Sequence, residues 1–339
     1  MRRRKLAFAS LAAVCVIGAI VTALIAVLGA RQDEKESERA VAAERPRAEQ
    51  ILSTGEPFAV ARSVDRAKGA TYGRIVVSAL KDPGSPVLAG PACERVGFRA
   101  GRGICLELLG TQMSVDLLDS RLNVTKRIEL AGIPSRARVS PDGRWGGTTA
   151  FIVGHSYAAP GEFSTATTLL DLRRGEVVGN IEEILQVTRD GKRFEPVDRN
   201  FWGLTFSRDS DTFYATMASG GKTWLIQGSI KDRRAKTIHE NVECPALSPD
   251  ETRIGYKKAV ATNPAKWRFH VLDLATGRET ALAETRSIDD QLEWLDDDHL
   301  LYGDGERTWV VPADGSGEPE VWSEATDSTT VQEGTAAGP

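Results

Sequence analysis

Residues 245–254 read Pro-Ala-Leu-Ser-Pro-Asp-Glu-Thr-Arg-Ile, in which the turn Ser248-Pro249-Asp250 separates two short apolar runs. Residues 137–145 repeat this pattern as Ala-Arg-Val-Ser-Pro-Asp-Gly-Arg-Trp, and residues 204–213 repeat it as Leu-Thr-Phe-Ser-Arg-Asp-Ser-Asp-Thr-Phe. Looser copies lie at 96–104 and 292–300. Because Ser, Pro, Asp and Gly favour tight turns, each copy predicts two β-strands joined by a short turn.

The spacing of the copies predicts the fold. The apolar residues before the turns serve as anchors, and their separations are 41, 67, 41 and 47 residues: Phe98, Val139, Phe206, Leu247 and Trp294. Blades of β-propellers contain four strands and repeat every ~40–50 residues. A further β-type run begins at Phe58, about one blade length before the first anchor. The sequence therefore predicts an all-β, six-bladed β-propeller over residues 57–322, with seven or five blades as alternatives.

Two parts of the chain depart from the repeat. The interval of 67 residues predicts insertions around 158–164 and 188–199 within one blade, and residues 181–185 predict a short helix. Residues 323–339 are small and polar without an apolar period. We therefore expect them to form a disordered tail.

The N-terminus predicts a membrane anchor. After Met1 and four basic residues, residues 6–30 contain no charged residue, and a bilayer core needs about 20 apolar residues in a helix. A cleaved signal peptide is one alternative, but its apolar region usually has about 7–15 residues, and Leu28-Gly29-Ala30 lacks the small-x-small cleavage pattern. A lipoprotein site at Cys15 is another alternative, with Val14 where a small residue is usual. The uncleaved transmembrane helix is favoured.

Charge predicts the orientation and excludes one class of partner. The cytoplasmic tip, residues 1–5, is basic, whereas the segment after the span is mixed in sign, so the positive-inside rule places everything after Ala30 outside the cytoplasm. Residues 31–56 are charged and predict a helical or disordered juxtamembrane stalk. Without the four N-terminal cations the chain has 39 basic and 47 acidic residues, which argues against binding to nucleic acid.

The cysteines allow one disulfide. Three cysteines lie outside the predicted span, Cys93, Cys105 and Cys244, so an oxidising compartment permits one structural pair and leaves one thiol. The sequence leaves the pairing open. No spacing of cysteines and histidines suggests zinc, and no other cofactor is predicted.

The Ser-Pro-Asp-Gly turn followed by a short apolar strand, as at 140–143 and 248–250, resembles the WD40-like repeats of TolB-type β-propellers. Longer stretches resemble a family of actinobacterial membrane-anchored TolB-like proteins; these are residues 132–138, 153–157, 200–203, 242–245 and 289–295. The resemblance implies the propeller fold over about 57–322 and no established activity. TolB itself has an α/β domain before its propeller, whereas this chain has the 31–56 stalk, so the Tol–Pal partnership is not carried over.

Two motifs suggest chemistry but have simpler explanations. Gly154-His155-Ser156-Tyr157-Ala158 is close to the Gly-x-Ser-x-Gly nucleophile elbow, but that elbow requires a strand–turn–helix setting, and these surroundings predict only strands. A polar loop is the preferred interpretation. The acidic groups at 209–211 and 296–298 could bind calcium, but both occupy the position of the Ser-Pro-Asp turn, where Asp binds its own backbone.

Residues at the start of each predicted innermost strand converge around one mouth of the propeller channel. Counting back three or four residues from the anchors gives an unusually polar set of candidate binding residues: Glu94, Arg95, Arg136, Trp202, Glu243, Asp290 and Gln291. Charged groups at buried strand ends need partners. The set therefore predicts either ion pairs that join neighbouring blades or a recognition surface.

The sequence favours a binding function, because no nucleophile–base pair, phosphate loop or metal cluster is evident. We expect a membrane-anchored, extracytoplasmic scaffold that binds an envelope protein or a small ligand. The alternative is a hydrolase of the glycosidase or lactonase type that uses Glu94, Glu243 and Asp290 at the mouth. A sensor is a third hypothesis, but only five residues precede the predicted span.

Overall fold

The structure is a computed structural model that describes residues 2–64, 70–110, 112–152 and 164–332, with side chains described for 17–64, 70–110, 112–152 and 164–326. The strands of these residues form six sheets, each of at least four strands. The expected all-β, six-bladed propeller is confirmed. The nucleophile-elbow motif at 154–158 lies outside the described residues.

The chain begins with one long helix, α1 (Arg2–Ser53), and then contributes three strands to blade 1, β1 (Phe58–Arg62), β2 (Arg74–Ala79) and β3 (Val87–Ala92). Blade 2 consists of β4 (Arg95–Arg99), β5 (Arg102–Leu109), β6 (Gln112–Leu118) and β7 (Val124–Ala131). Blade 3 consists of β8 (Ile133–Val139), β9 (Trp145–Ile152), β10 (Ser164–Asp171) and β11 (Glu176–Asn180).

The elements α2 (Ile181–Ile184), β12 (Gln186–Arg189) and β13 (Lys192–Arg193) follow blade 3. Blade 4 consists of β14 (Asn200–Phe206), β15 (Thr212–Ser219), β16 (Lys222–Ser229) and β17 (Arg234–Glu240). Blade 5 consists of β18 (Glu243–Leu247), β19 (Arg253–Thr262), β20 (Ala265–Asp273) and β21 (Glu279–Ala281). Blade 6 consists of β22 (Glu293–Trp294), β23 (His299–Gly303), β24 (Thr308–Pro312) and β25 (Glu320–Ser323), and β26 (Thr326–Gln332) is the last strand.

The last strand closes the ring. β26 pairs with β1 in antiparallel register, with Val60 opposite Thr330, and it also contacts β4 and β22 of the two neighbouring blades. It is therefore the innermost strand of blade 1, and Phe58 begins the second strand of that blade. The expected disordered tail is wrong over 326–332, because pairing with β1 gives these residues a strand partner and removes an exposed sheet edge.

The insertion predicted near 188–199 is a small extension of blade 4. β12 pairs in parallel with the outermost strand β17, and β13 forms a hairpin with β12. α2 occupies the position of the predicted short helix, and Asn180 caps it by accepting a hydrogen bond from the Glu182 amide. Ile181 and Val187 are buried against blade 4, so the insertion has an apolar attachment. Most of the other predicted insertion lies outside the described residues.

The repeated Asp residues stabilise their own turns. Ser140 Oγ donates to Asp142 Oδ1 at 2.7 Å and accepts from the Trp145 amide at 2.8 Å, and Ser248 and Asp250 repeat the first contact at 2.5 Å. Asp209 Oδ1 accepts from two backbone amides, and Asp296 Oδ1 accepts from one. These carboxylates therefore act as turn caps, as the turn interpretation of the sequence expects.

The disulfide ties the connection between blades 1 and 2 to the second strand of blade 2. Cys93 and Cys105 are bonded with their Cα atoms 5.4 Å apart, and Cys244 is a buried free cysteine. Cys105 lies opposite Val96 in the β4–β5 hairpin, so Cys93 reaches it from the connection between β3 and β4. The bond fixes the start of an innermost strand to the strand beside it.

The C-terminal part of α1 packs against blade 1. Its contacting positions recur every three or four residues, which is the pattern of a helix with one attached face; they are Ser37, Glu44, Arg45, Ala48, Ile51 and Leu52. Glu44 accepts from the Leu88 amide at 2.6 Å, so the helix covers part of the edge strand β3. Among residues whose side chains are described, no helix has both the length and the apolar character needed to cross a membrane.

Candidate functional site

The innermost strands of the six blades begin at the same face of the ring, which we call the mouth face. Each blade alternates strand direction, so the mouth face also contains the ends of the second strands and the beginnings of the third strands. Among the predicted residues, Arg95 and Glu243 begin innermost strands on this face, Glu94 directly precedes β4, and Arg136 is the fourth residue of β8. Glu94, Arg95 and Glu243 therefore lie near the mouth face, and Arg136 lies farther along its strand.

Several of the predicted side chains connect blades. Arg95 Nε of blade 2 donates to the Ser135 carbonyl of blade 3 at 2.7 Å, and Gln291 Nε2 donates to the Ala137 carbonyl at 3.3 Å. Asp290 Oδ2 accepts from the Gly303 amide at 2.7 Å. Trp202, Asp290 and Gln291 are buried. These contacts order the ring around the mouth.

An ion cluster lies at the mouth itself. Asp289, in the connection before blade 6, accepts from Lys257 Nζ of blade 5 and from Arg136 Nη2 of blade 3 at 3.4 Å. Lys257 is 2% exposed, whereas the Asp289 side chain is 58% exposed. Burial opposes ionisation of Asp289, but the attraction of Lys257 and Arg136 outweighs it and holds its pKa below the ordinary value. The cluster therefore presents a stable carboxylate to solvent.

A second ion cluster spans the channel. Glu293 of blade 6 accepts from Arg99 Nη2 of blade 2 at 2.5 Å and from Arg138 Nη1 of blade 3, and Arg138 Nη2 donates to the Leu292 carbonyl at 2.8 Å. Burial, together with the neighbouring charge of Arg99, lowers the pKa of Arg138 to about 9. The buried Glu293 carboxylate thus forms ion pairs with two guanidinium groups from blades on the other side of the channel.

Glu243 lines a cleft beside the mouth. Its Oε1 accepts from Trp267 Nε1 at 2.9 Å, and Lys257 Nζ lies 4.9 Å from the centre of the Trp267 ring. Burial raises the pKa of the Glu243 carboxyl, while Lys257 and Trp267 act in the opposite direction. The cleft has a volume of about 410 Å³ and lies between the mouth-face hairpins of blades 4 and 5, lined in part by Lys222, Asn241, Glu243, Thr262 and Trp267.

The remaining acid at the mouth is separate from these groups. The Glu94 side chain is 53% exposed, and its Oε2 lies 3.9 Å from Arg62 Nη1. Within the described residues, no three His, Cys, Asp or Glu side chains are grouped so as to hold a metal ion. Buried Arg136 Nε, Arg138 Nε and Gln291 Oε1 have no hydrogen-bond partner in the part of the chain that the structure describes. These atoms could bind polar groups of a molecule that enters the channel.

Counting back from the anchors does not find every member of the two clusters. It misses the residues that complete the ion pairs and the cleft: Arg99, Arg138, Lys257, Trp267, Asp289 and Glu293. Arg138 and Glu293 lie one residue before their anchors, so they share a strand face with the residues three before. Counting every second residue back from each anchor would have included Arg138 and Glu293. It would not have included Lys257 and Trp267, which come from the second and third strands of blade 5.

Comparison with solved structures identifies the fold. The TolB structure from Acinetobacter baumannii matches with a TM-score of 0.55 and 16% sequence identity, covering 81% of this chain. The fold is that of a TolB-like β-propeller. The chain spans 66% of the length of the Acinetobacter protein. A chain of the nidogen/laminin complex also matches, with a TM-score of 0.52, 10% identity, and coverage of 83% of this chain and 98% of that one.

Other comparisons assign the chain to no family. No protein-family model matches it, and no curated protein matches it. At 16% and 10% identity, the structural matches establish the fold alone.

Proposed function

We propose that this protein is a membrane-anchored, extracytoplasmic propeller that binds an envelope protein or a small ligand at the mouth face. The observation that carries the proposal is the cleft beside Glu243 and Trp267, because it opens next to the exposed Asp289 carboxylate. A concave site with an aromatic side chain and a few placed charges is the usual form of a binding site.

The anchor is supported by the sequence and by the exposure of α1. Residues 6–30 have no charge, and the α1 backbone is helical throughout this stretch. Large apolar side chains of α1 are exposed from residue 17 onward; they are Ile17, Ile20, Val21, Leu24, Ile25, Val27 and Leu28. Exposed apolar side chains are stabilised by an apolar environment, which a bilayer supplies.

Site-specific photocrosslinking in the native envelope tests the binding function. With benzoylphenylalanine in place of Thr262 in the cleft, we expect an adduct of defined mass. Adding Glu243→Gln should weaken it about tenfold, because a charge-assisted hydrogen bond contributes ~1.5–3 kcal/mol. The same probe in place of Glu176, an exposed residue on the opposite face, is the control. Equal yields of adduct from the two probe positions would contradict the proposal. So would an adduct yield that Glu243→Gln does not change.

One observation favours a hydrolase as the second candidate. Burial raises the pKa of Glu243, and a general acid must keep its proton near neutral pH. If Glu243 is that acid, turnover of chromogenic glycosides or lactones should fall as the pH rises through its raised pKa. Glu243→Gln should abolish turnover. Glu94→Gln is the comparison, and turnover that survives in it would assign the role of the acid to Glu243. Absence of turnover in the unmodified protein would rule out this candidate for those substrates.

A further inference from the structure

The direction of α1 relates the membrane anchor to the mouth face. Arg74 Nε, at the mouth-face end of β2, donates to Ser37 Oγ at 2.6 Å. Farther along the helix, Glu44 and Arg45 contact Leu88 and Ala89 near the beginning of β3, at the opposite end of the blade. Followed toward its N-terminus, the helix therefore runs toward the mouth face and leaves the propeller there.

The gap between the ring and the apolar stretch is short. Ser37, which contacts blade 1, lies seven positions after Ala30, the last residue of the uncharged stretch. A helix rises 1.5 Å per residue, so this segment spans about 10 Å. The helix is continuous across it. The mouth face is thus held about one phospholipid headgroup layer from the end of the apolar stretch.

The mouth face has an apolar rim. Among the described residues outside α1, ten large apolar side chains are exposed, and seven of them lie on mouth-face hairpins and connections: Tyr72, Leu108, Leu109, Ile133, Phe151, Val197 and Val260. Of the other three, Val124 and Val177 lie at the beginnings of outermost strands on the opposite face, and Val321 lies within the short outermost strand β25. Concentration of exposed apolar side chains on one face marks an interaction surface.

The largest part of the rim lies on blades 2 and 3, beside the blade to which α1 is attached. Leu108 and Leu109 end β5, and Ile133 and Phe151 are directly paired on β8 and β9. Leucine, isoleucine and phenylalanine side chains partition favourably into the boundary between headgroups and acyl chains, to a depth of about 5–10 Å. That depth is similar to the gap that α1 leaves.

We propose that the mouth face lies against the membrane surface, with the apolar rim inserted into the lipid interface. The inference rests on the membrane anchor in the proposed function and adds an orientation and a second membrane contact. The channel mouth then opens toward the bilayer, and its ligand binds between the ring and the lipid.

Spin labels on the full chain test this orientation in vesicles of phosphatidylcholine and phosphatidylglycerol. Ile133 is 47% exposed on the mouth face and Val177 is 46% exposed on the opposite face, so Ile133→Cys and Val177→Cys form a matched pair. Ile20→Cys reports the anchor. Each variant carries Cys15→Ser, and protein without an added cysteine measures background labelling, since Cys244 is buried.

The readout is the ratio of oxygen to nickel-complex accessibility by power saturation. We expect a ratio several-fold higher at Ile133→Cys than at Val177→Cys, and the highest ratio at Ile20→Cys. A high ratio at Ile20→Cys with equal, water-like values at the other two positions overturns the orientation and leaves the anchor intact. A water-like value at Ile20→Cys overturns the anchor, and with it the orientation.

Discussion

Glu293→Gln is expected to lower the free energy of unfolding by about 3–5 kcal/mol, because removing one partner of a buried ion pair leaves the other charges uncompensated. Glu293 is the carboxylate that Arg99 and Arg138 share across the channel, and it is buried. Both guanidinium groups would remain in the channel without it. Guanidinium chloride unfolding of the full chain, followed by tryptophan fluorescence, measures the change.

Glu56→Gln is the control for this prediction. Glu56 also forms an ion pair, with Lys81 at 2.5 Å, but the two side chains are 56% and 72% exposed. Exposed pairs contribute about 0–1 kcal/mol, so this variant should unfold nearly as the unmodified protein does. A similarly small effect for Glu293→Gln would mean that the channel cluster does not hold the blades together.

Gly203→Ala is expected to cost about 2–5 kcal/mol, the second large effect. Gly203 has φ +66°, and a Cβ there would lie 2.7 Å from Cys244 Cα on the neighbouring innermost strand. The left-handed conformation costs an alanine about 1–2 kcal/mol, and the steric overlap adds about 1–3 kcal/mol. The neighbouring atom is backbone, so blades 4 and 5 would have to separate at the channel.

Gly221→Ala separates the two contributions. Gly221 has φ +72°, and no atom lies within 4 Å of its added Cβ, so only the conformational cost of about 1–2 kcal/mol applies. The difference between the two variants, measured by the same unfolding experiment, is the cost of contact between the innermost strands. Equal effects would show that these strands can move apart freely.

The sequence predicts the blades well because each blade has its own local signal. The Ser-Pro-Asp turns and the spacing of Phe98, Val139, Phe206, Leu247 and Trp294 locate five blades, and the structure has all five. Strand β26 has no such signal. Its sequence, Thr-Asp-Ser-Thr-Thr-Val-Gln, is polar, and its strand conformation comes from pairing with β1, about 270 residues earlier in the chain.

The site is predicted in part for a similar reason. Arg95, Arg136 and Glu243 are found because equivalent positions in a repeat converge at one end of the channel. Which side chains pair there depends on the angle between blades and on the length of each connection. Asp289 contacts Arg136 although the two are 153 positions apart in the sequence. A local sequence pattern cannot predict a contact between residues so far apart.

Closure by β26 couples synthesis of the chain to completion of the ring. Blades 2 to 6 are contiguous in sequence, so each can form as soon as its own strands have been synthesised. Blade 1 must wait, because its three outer strands emerge first and its innermost strand emerges last. A chain that ends before Thr326 would lack the strand that pairs with β1, and its ring of blades would stay open. The ring closes only after β26 has been synthesised.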